Sequence, residues 1–432
     1  VNRAGKPRIA ICDLLFCWPP DAGAFVDVAN VAARLAREAE VLLVVPKIDS
    51  LFSCRHTVFD RILGRYSRFF LRGAVDEALP FPVRHLQFTG KEFAPRAIGR
   101  RFEEVLSEFN PDHTLIANGW HLKPHLVKAL ARYNPILRIY AHEFLCAKAD
   151  GWFFRRGRTC ERNYLNGGLK DYLGCLACCT TFYARFPAVR WVQEYVRSGA
   201  YKPGYAKVAK EALGIASTVI VYNTWTADLV RPYNPRVRII PSGVDTKEFR
   251  PAAERSMNRT VVTLVPGRVG ERHKGRDFLA KVIRLMEKQR PNMVFHITGM
   301  RSYFSGPNVV EKGWLSQSEL PGLYQAADVA FIPSLWPEPL GIIALEAAAS
   351  GLPIVASEVG GLKELVQHGR TGFLVRPGDV DAATEVLSRL CDDRELREQL
   401  GREARAMCEE NFGWDVIFER HYRRLFLLTT ER

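Results

Sequence analysis

Two glutamates eight residues apart, Glu338 and Glu346, stand in the stretch SLWPEPLGIIALEAAASG at 334–351. Pro337, Glu338 and Pro339 predict the turn that ends a strand, and Leu340–Ala349 predicts a helix with Gly341 in its first turn. The free backbone N–H groups of such a helix start, at the positive end of its dipole, bind phosphate or another anion, and a glycine there lets the anion approach the backbone. Glu346, about two turns in, would reach a ligand group lying alongside, such as a ribose hydroxyl. A glycosidase pair is the competing chemistry. Eight helical residues rise about 12 Å, beyond the roughly 5 to 9.5 Å that hydrolytic carboxylate pairs span, so the spacing argues against it. The plain alternative is two ordinary surface glutamates.

A second cluster, VPGRVGERHKG at 265–275, offers Arg268 and Lys274. A guanidinium and an ammonium that both follow a strand's carboxyl end can jointly neutralise a diphosphate leaving group, although basic loops are also commonly just solvated. The loop has neither a Walker pattern nor G-x-G-x-x-G, so kinase, ATPase and dehydrogenase readings lack their fingerprints. A third element, SEVGGLKEL at 357–365, puts Gly360 and Gly361 between a strand and a helix start, where paired glycines serve close ligand approach or a tight turn.

These groups need a scaffold. After residue 259 the short apolar runs TVVTLVPG, NMVFHITG, DVAFIPS, LPIVAS and GFLVRPG are separated or followed by the amphipathic stretches FLAKVIRLMEK, SELPGLYQAA, LGIIALEAAAS and ATEVLSRLCDD. That alternation predicts a parallel sheet covered on both faces, a doubly wound α/β domain. The first half repeats the theme with RIAICDLLF, VANVAARLAREA, EVLLVVP, HTLIANGW, LRIYAHEF and STVIVYN, a second Rossmann-like unit. The expected division is 1–250, 251–412 and a terminal amphipathic helix at 413–432 that crosses back to the first domain. Open α/β sheets bind ligands beyond the carboxyl ends of their strands, so two such domains are expected to face across a cleft, with a donor on one side and an acceptor on the other.

Composition removes other classes. The 432 residues include 25 Phe, 14 Tyr and 8 Trp, too much apolar burial for a disordered chain. The apolar run IAICDLLFCW at 9–18 contains an acid, is far short of the roughly 20 residues of a membrane span, and lacks a small-residue cleavage site, so it reads as a buried first strand. Ten cysteines are too sparse for a disulfide scaffold, and a reducing, cytoplasmic setting is expected. The net charge of +14 is uneven: residues 1–200 hold 29 basic and 19 acidic groups, residues 201–432 hold 32 and 28.

Together IPSGVDTKEFRP, the Arg and Lys of GRVGERHKG, ADVAFIPS, the E-x7-E pair in EPLGIIALE, and VGGLKELVQHGRTGFLVRPGD resemble the retaining nucleotide-sugar glycosyltransferases of the GT-B fold, often called family 4. They occur in the family's order over most of 240–380. The resemblance implies that Arg268 and Lys274 hold the donor diphosphate. It implies that Glu338, with the backbone of Leu340 and Gly341, contacts the transferred sugar and phosphate, that Glu346 binds the ribose, and that Gly360 and Gly361 line the donor site. Stereochemical retention and transfer without a metal are implied too, the latter in keeping with the lack of a D-x-D pair near these loops.

In the first half WPPDAGAFVDV at 18–28 resembles the family's glycine loop through Gly23, but Ala24 stands where a second glycine is common. His142, in IYAHEF, matches a position where the family often has a histidine facing the donor sugar; a structural histidine is the alternative. Residues 146–179 hold Cys146, Cys160, Cys175, Cys178 and Cys179. The C-x2-C of Cys175 and Cys178, completed by Cys146 and Cys160, has the spacing of a structural zinc site, against unlinked thiols. On a helical wheel VFDRILGRYSRFFLR at 58–72 separates aromatic from arginine faces. Such a helix either packs on its own domain or lies on an anionic membrane surface, and the charge excess of the first half favours a membrane-proximal or anionic acceptor.

The expected activity is transfer of a hexosyl-type sugar from a nucleotide-diphosphate sugar to a glycan or lipid-linked acceptor, in synthesis of a cell-surface polysaccharide or glycolipid. The expected place is the cytoplasm, on the inner face of the plasma membrane. The rivals are a GT-B nucleotide-sugar epimerase, which needs no acceptor, and a basic nucleic-acid-binding protein, against which the basic groups form no recognition motif.

Overall fold

The computed structural model describes residues 6–20, 22–48, 75, 78–89, 92–148, 154–155, 157–185, 189–253, 260–299 and 303–427. The amphipathic segment 58–72 lies outside the described residues. Among those described, no helix is long and apolar enough to cross a membrane.

The chain divides into two compact units. The first comprises Val1–Trp152, Glu161–Ile240 and Phe418–Arg432, the second Phe153–Cys160 and Pro241–Ile417.

In the first unit, β1 (Arg8–Cys12), β2 (Glu40–Ile48), β3 (Val83–Phe88), β4 (His113–Ile116), β5 (Ile136–Arg138), β8 (Thr218–Val221) and β9 (Val237–Ile239) form a parallel sheet ordered β3-β2-β1-β4-β5-β8-β9. The intervening β6 (Phe154–Arg155) and β7 (Arg158–Thr159) make a separate antiparallel hairpin that belongs to the second unit. The central strands are nearly continuous apolar runs because helices cover both faces: Ile9, Ala10, Ile11 and Cys12 are fully buried.

The second unit's parallel sheet is ordered β12-β11-β10-β13-β14-β15, built from β10 (Val261–Val265), β11 (Met293–Thr298), β12 (Val309–Gly313), β13 (Val329–Ile332), β14 (Ile354–Ser357) and β15 (Gly372–Val375). This is the doubly wound order, and the winding direction reverses between β10 and β13, as it does between β1 and β4 in the first unit. Its core joins Val265, Phe295, Phe331 and Val355 to Leu279, Ile283 and Leu387 of the covering helices.

The observed divisions differ from 1–250, 251–412 and 413–432. The second unit begins at Pro241 because the 243–249 segment is fastened to the helices at its carboxyl end. Val244 N–H donates to the Phe412 carbonyl (2.9 Å), and the Arg405 guanidinium donates to the carbonyls of Phe249 (2.7 Å) and Thr246 (2.9 Å). A Cβ on Gly243 would fall 2.5 Å from the Trp414 ring, so glycine is needed there. The terminal segment changes unit at Phe418, where Arg423 pairs with Glu38 (2.9 Å) and Phe426 packs edge-on to His113 (5.6 Å).

Candidate active site

A ligand on an open α/β sheet settles where two adjacent strands send their following loops in opposite directions. In the second unit those strands are β10 and β13, and the loops that follow are 266–275 and 333–341. They carry Arg268, Lys274 and Glu338.

The loops touch backbone to backbone. Gly275 has φ +91° and a Cβ there would lie 1.8 Å from the Pro333 carbonyl oxygen, while Leu335 N–H donates to the His273 carbonyl (2.8 Å). At the other end Gly267, φ +93°, donates its N–H to Thr298 Oγ1 (2.7 Å) at the tip of β11. These tethers bring Lys274 Nζ to 2.7 and 3.0 Å from the two oxygens of Glu338 and to 4.8 Å from the Trp336 ring centre. Ser334 Oγ also donates to Glu338. Burial alone would raise the Glu338 carboxyl's pKa; the Lys274 ammonium and the hydrogen bonds from Lys274 and Ser334 outweigh it and hold the group below the usual carboxylate range.

Arg268 is half-exposed, its Nε 3.5 Å from Glu271 Oε1. The other oxygen of Glu271 lies 3.3 Å from Nε2 of the buried His273, whose ring packs on Trp336 at 5.3 Å and 84°. Neither Glu271, His273, Ser334 nor Trp336 was singled out by motif reading. All four sit inside the quoted stretches, yet nothing in a loop of alternating charges says which groups turn inward.

The helix after the 338 turn is Ile342–Ala349, with Gly341 as its N-cap at φ +92°. Gly341 therefore lies outside the first turn rather than within it. The reason is local: a Cβ at this left-handed position would meet Leu362 Cδ2 at 2.5 Å. The helix is apolar around most of its circumference and correspondingly buried. Gly360 and Gly361 press on the same turn. Their Cβ positions are occupied by the Glu338 carbonyl oxygen (2.1 Å) and by the Pro339 and Leu340 backbone (2.7–2.9 Å), and Gly361 N–H donates to the Glu338 carbonyl at 2.7 Å. Their lack of side chains is thus accounted for by backbone contact with residues 338–340.

Glu346 is buried and accepts a 2.6 Å hydrogen bond from the Tyr324 hydroxyl. Burial, against that hydrogen bond and with Glu248 adding negative charge nearby, pushes its carboxyl up to about 7. Tyr324 and Glu248 come from elements far from the E-x7-E motif, which is why the motif alone did not indicate them.

Gly23 and His142 belong to the first unit. Gly23 opens the helix Gly23–Leu35 that follows β1. The base of that loop is braced by buried Asp13, whose carboxylate accepts the N–H groups of Leu15 (2.8 Å) and Phe16 (2.7 Å) and the amide of Asn118 (2.7 Å) beyond β4. His142 is completely buried, edge to face with Trp225 at 5.1 Å. The segment leading to it is held by Glu143, which accepts the N–H groups of Tyr140 (3.0 Å) and Ala141 (2.8 Å) and pairs with buried Lys123 at 2.7 Å.

Cys146, Cys175 and Cys178 lie near enough to the buried Cys179 to add to what burial does in raising its thiol pKa. Cys175 and Cys179, one helical turn apart, face the aromatic cluster of Phe182, Tyr183, Tyr195 and Tyr205, while Cys178 is partly exposed and Cys160 falls in the second unit. Among the described residues no group of three or more His, Cys, Asp or Glu is arranged to hold a metal ion. Packing followed the i, i+4 face rather than the i, i+3 pair.

Residues 246–407 match the family model of the Glycosyl transferases group 1. The second unit is a group 1 glycosyltransferase domain. Arg268, Lys274, Glu338, Leu340, Gly341, Glu346, Gly360 and Gly361 all lie within the matched part of this glycosyltransferase domain, whereas Gly23 and His142 lie outside it. Among curated proteins the chain is similar to a D-inositol 3-phosphate glycosyltransferase of Paenarthrobacter aurescens, 33% identical over 201 residues, covering 41% of this chain and 48% of that one. It is also similar to an MMP alpha-(1->4)-mannosyltransferase of Mycolicibacterium hassiacum, 34% identical over 248 residues, covering 53% and 58%. The chain thus spans about half the length of the curated relatives it matches. Its fold is that of sucrose-phosphate synthase from Thermosynechococcus elongatus (TM-score 0.64, 18% identity, 98% and 99% of the two chains) and of Anabaena HepE in complex with UDP-glucose (TM-score 0.62, 15% identity, 98% and 100%). Both Rossmann-like units are therefore accounted for by the GT-B fold.

Proposed function

We propose that the protein transfers a hexosyl-type sugar, with retention at its anomeric carbon, from a nucleotide-diphosphate sugar to a glycan or lipid-linked acceptor. The observation that carries this reading is the Lys274–Glu338 pair, buried at the reversal point of the second sheet beside the left-handed Gly341 that opens a helix. Lys274 and Arg268 take the donor diphosphate, and the helix start lends its free N–H groups to the same phosphates. Glu338 and the Leu340–Gly341 backbone meet the sugar, Glu346 accepts the ribose hydroxyls, and Gly23 and His142 serve from the first unit. As the bond to the leaving phosphate lengthens, negative charge grows on the diphosphate and positive charge on the sugar. The fixed cations stabilise the former without reorganising, which lowers the barrier. Names among the relatives support the class of reaction, and the UDP-glucose bound by the Anabaena protein supports the class of donor.

The proposal extends to place: the cytoplasm, on the inner face of the plasma membrane, with the basic segment 58–72 against anionic lipid, in cell-surface polysaccharide or glycolipid synthesis. The first-half charge excess supports it.

A thermal-shift screen against UDP, GDP and ADP sugars tests the donor. A ligand at one hundred times its Kd adds about 2.7 kcal/mol to the native state, a clear rise in Tm. Flat melting curves with every nucleotide sugar would refute the reading. Conversion of the sugar without any acceptor would identify an epimerase instead.

A further inference from the structure

The hairpin β6–β7 is an interruption. The chain leaves the first unit for Phe153–Cys160, belongs there to the second, and returns. Its sequence, GWFFRRGRTC at 151–160, holds three arginines and no acid. The strand register sets Arg155 directly opposite Arg158, and Phe154 opposite Thr159. Like charges facing each other across a two-stranded ladder are destabilising, and a two-stranded hairpin has little stability of its own. Among the described residues neither Arg155 nor Arg158 has an ion-pair or hydrogen-bond partner through its side chain. The hairpin's apolar residue meets the loop after β10: the Phe154 ring lies 6.2 Å from His273, tilted by 53°. His273 packs on Trp336, Trp336 lies under the Lys274 ammonium, and Lys274 reaches Glu338. The hairpin is thus moored one residue from Lys274, with two uncompensated guanidinium groups facing each other across its strands.

We propose that this hairpin is an anion-binding arm of the donor site, in which Arg155 and Arg158 ligate the diphosphate of the nucleotide sugar together with Lys274. The inference rests on the donor reading above and deepens it. It explains why an unfavourable arginine pair is kept: the ligand's two phosphates supply the counter-charge that the hairpin lacks. The arginines supply charge-assisted, forked hydrogen bonds, which a lysine replaces poorly.

The test uses the full chain and the nucleoside diphosphate among UDP, GDP and ADP that the unmodified protein binds most tightly, with its parent nucleoside as control. Isothermal titration of Arg155→Ala/Arg158→Ala should show about tenfold or greater weakening for the diphosphate and an unchanged Kd for the nucleoside. Arg155→Lys/Arg158→Lys should fall between. A double-alanine variant that binds the diphosphate as the unmodified protein does overturns the inference while leaving the donor reading in place. Equal loss of nucleoside and diphosphate overturns it too, since it would mean that the hairpin only props the site. Loss confined to a hexose monophosphate would assign the arginines to an acceptor and likewise overturns it. If the unmodified protein binds no nucleoside diphosphate, the donor reading and this inference fall together.

Discussion

Lys274 Nζ reaches both carboxylate oxygens of Glu338, at 2.7 and 3.0 Å, with little of either side chain exposed. Glu338 thus neutralises Lys274 within the fold, and on the proposed reading a donor diphosphate would have to compete with it. Truncating one partner strands the other. Lys274→Met should cost about 3–5 kcal/mol of stability, and Lys274→Met/Glu338→Gln should recover much of it while leaving transfer abolished; chemical denaturation and a transfer assay measure the two effects. Because the folded carboxyl's pKa lies below its ordinary 4.5, its stabilisation is present above that pH and is lost as pH falls through the lower folded value.

Glu346 behaves in the opposite sense. With its carboxyl raised from 4.5 to about 7, folding must protonate, or else bury the charge of, an acid that the unfolded chain ionises readily, so stability is lost as pH climbs from 4.5 through about 7. The full difference is ~3 kcal/mol. Glu346→Gln should flatten the pH dependence of Tm across that window, and an unaltered slope would contradict it. Ionised Glu346 is the better acceptor for ribose hydroxyls, so affinity for a nucleotide sugar, whose diphosphate does not titrate there, should rise from pH 6 to 8 in the native enzyme only.

Arg268 separates binding from stability. Its pair with Glu271 is half-exposed, and such pairs contribute within about 1 kcal/mol. Arg268→Ala should leave Tm almost unchanged and weaken nucleoside diphosphate binding by about tenfold. A large drop in Tm would show that the residue braces the loop instead.

Gly360→Ala adds one methyl group where the Glu338 carbonyl oxygen would be 2.1 Å away, at a φ of +45°. Strain and overpacking together should cost about 2–4 kcal/mol and push the 338 turn out of place. The expected signature is loss of donor binding below the melting transition, read by calorimetry on the folded variant.

Transfer should persist in excess chelator, because the proposal assigns the leaving group's charge to Arg268, Lys274 and a helix start. Loss of activity in chelator that returns with a divalent cation would reject that assignment.

The sheets were legible where strands are buried on both faces. The runs at β10, β11, β13, β14 and β15 announced themselves, but the edge strand β12, VVEKG, is half-exposed and carries no apolar signature; β3 and β9, also edges, escaped for the same reason. The helix Arg394–Asn411 escaped because charged residues dominate its sequence. Residues within one motif could be placed together, since their spacing reflects a single turn. Partners brought by long-range packing, such as Tyr324 on Glu346 or Phe154 on His273, leave no mark in local spacing. The paired cysteines were ambiguous in sequence because thiol spacing suits a metal and a helix face equally well. The unit boundary at Pro241 depends on contacts with residues 405–414, more than 150 positions downstream.

The backbone passes from one unit to the other four times, after Trp152, Cys160, Ile240 and Ile417. A fragment cut at the conspicuous boundary, Pro241 to Ile417, would therefore omit a piece of its own body. It would leave the aromatic seat on His273 uncovered and lose the three arginines of the hairpin. Whoever dissects this protein by expression must graft residues 153–160 back onto that fragment to keep the second unit whole.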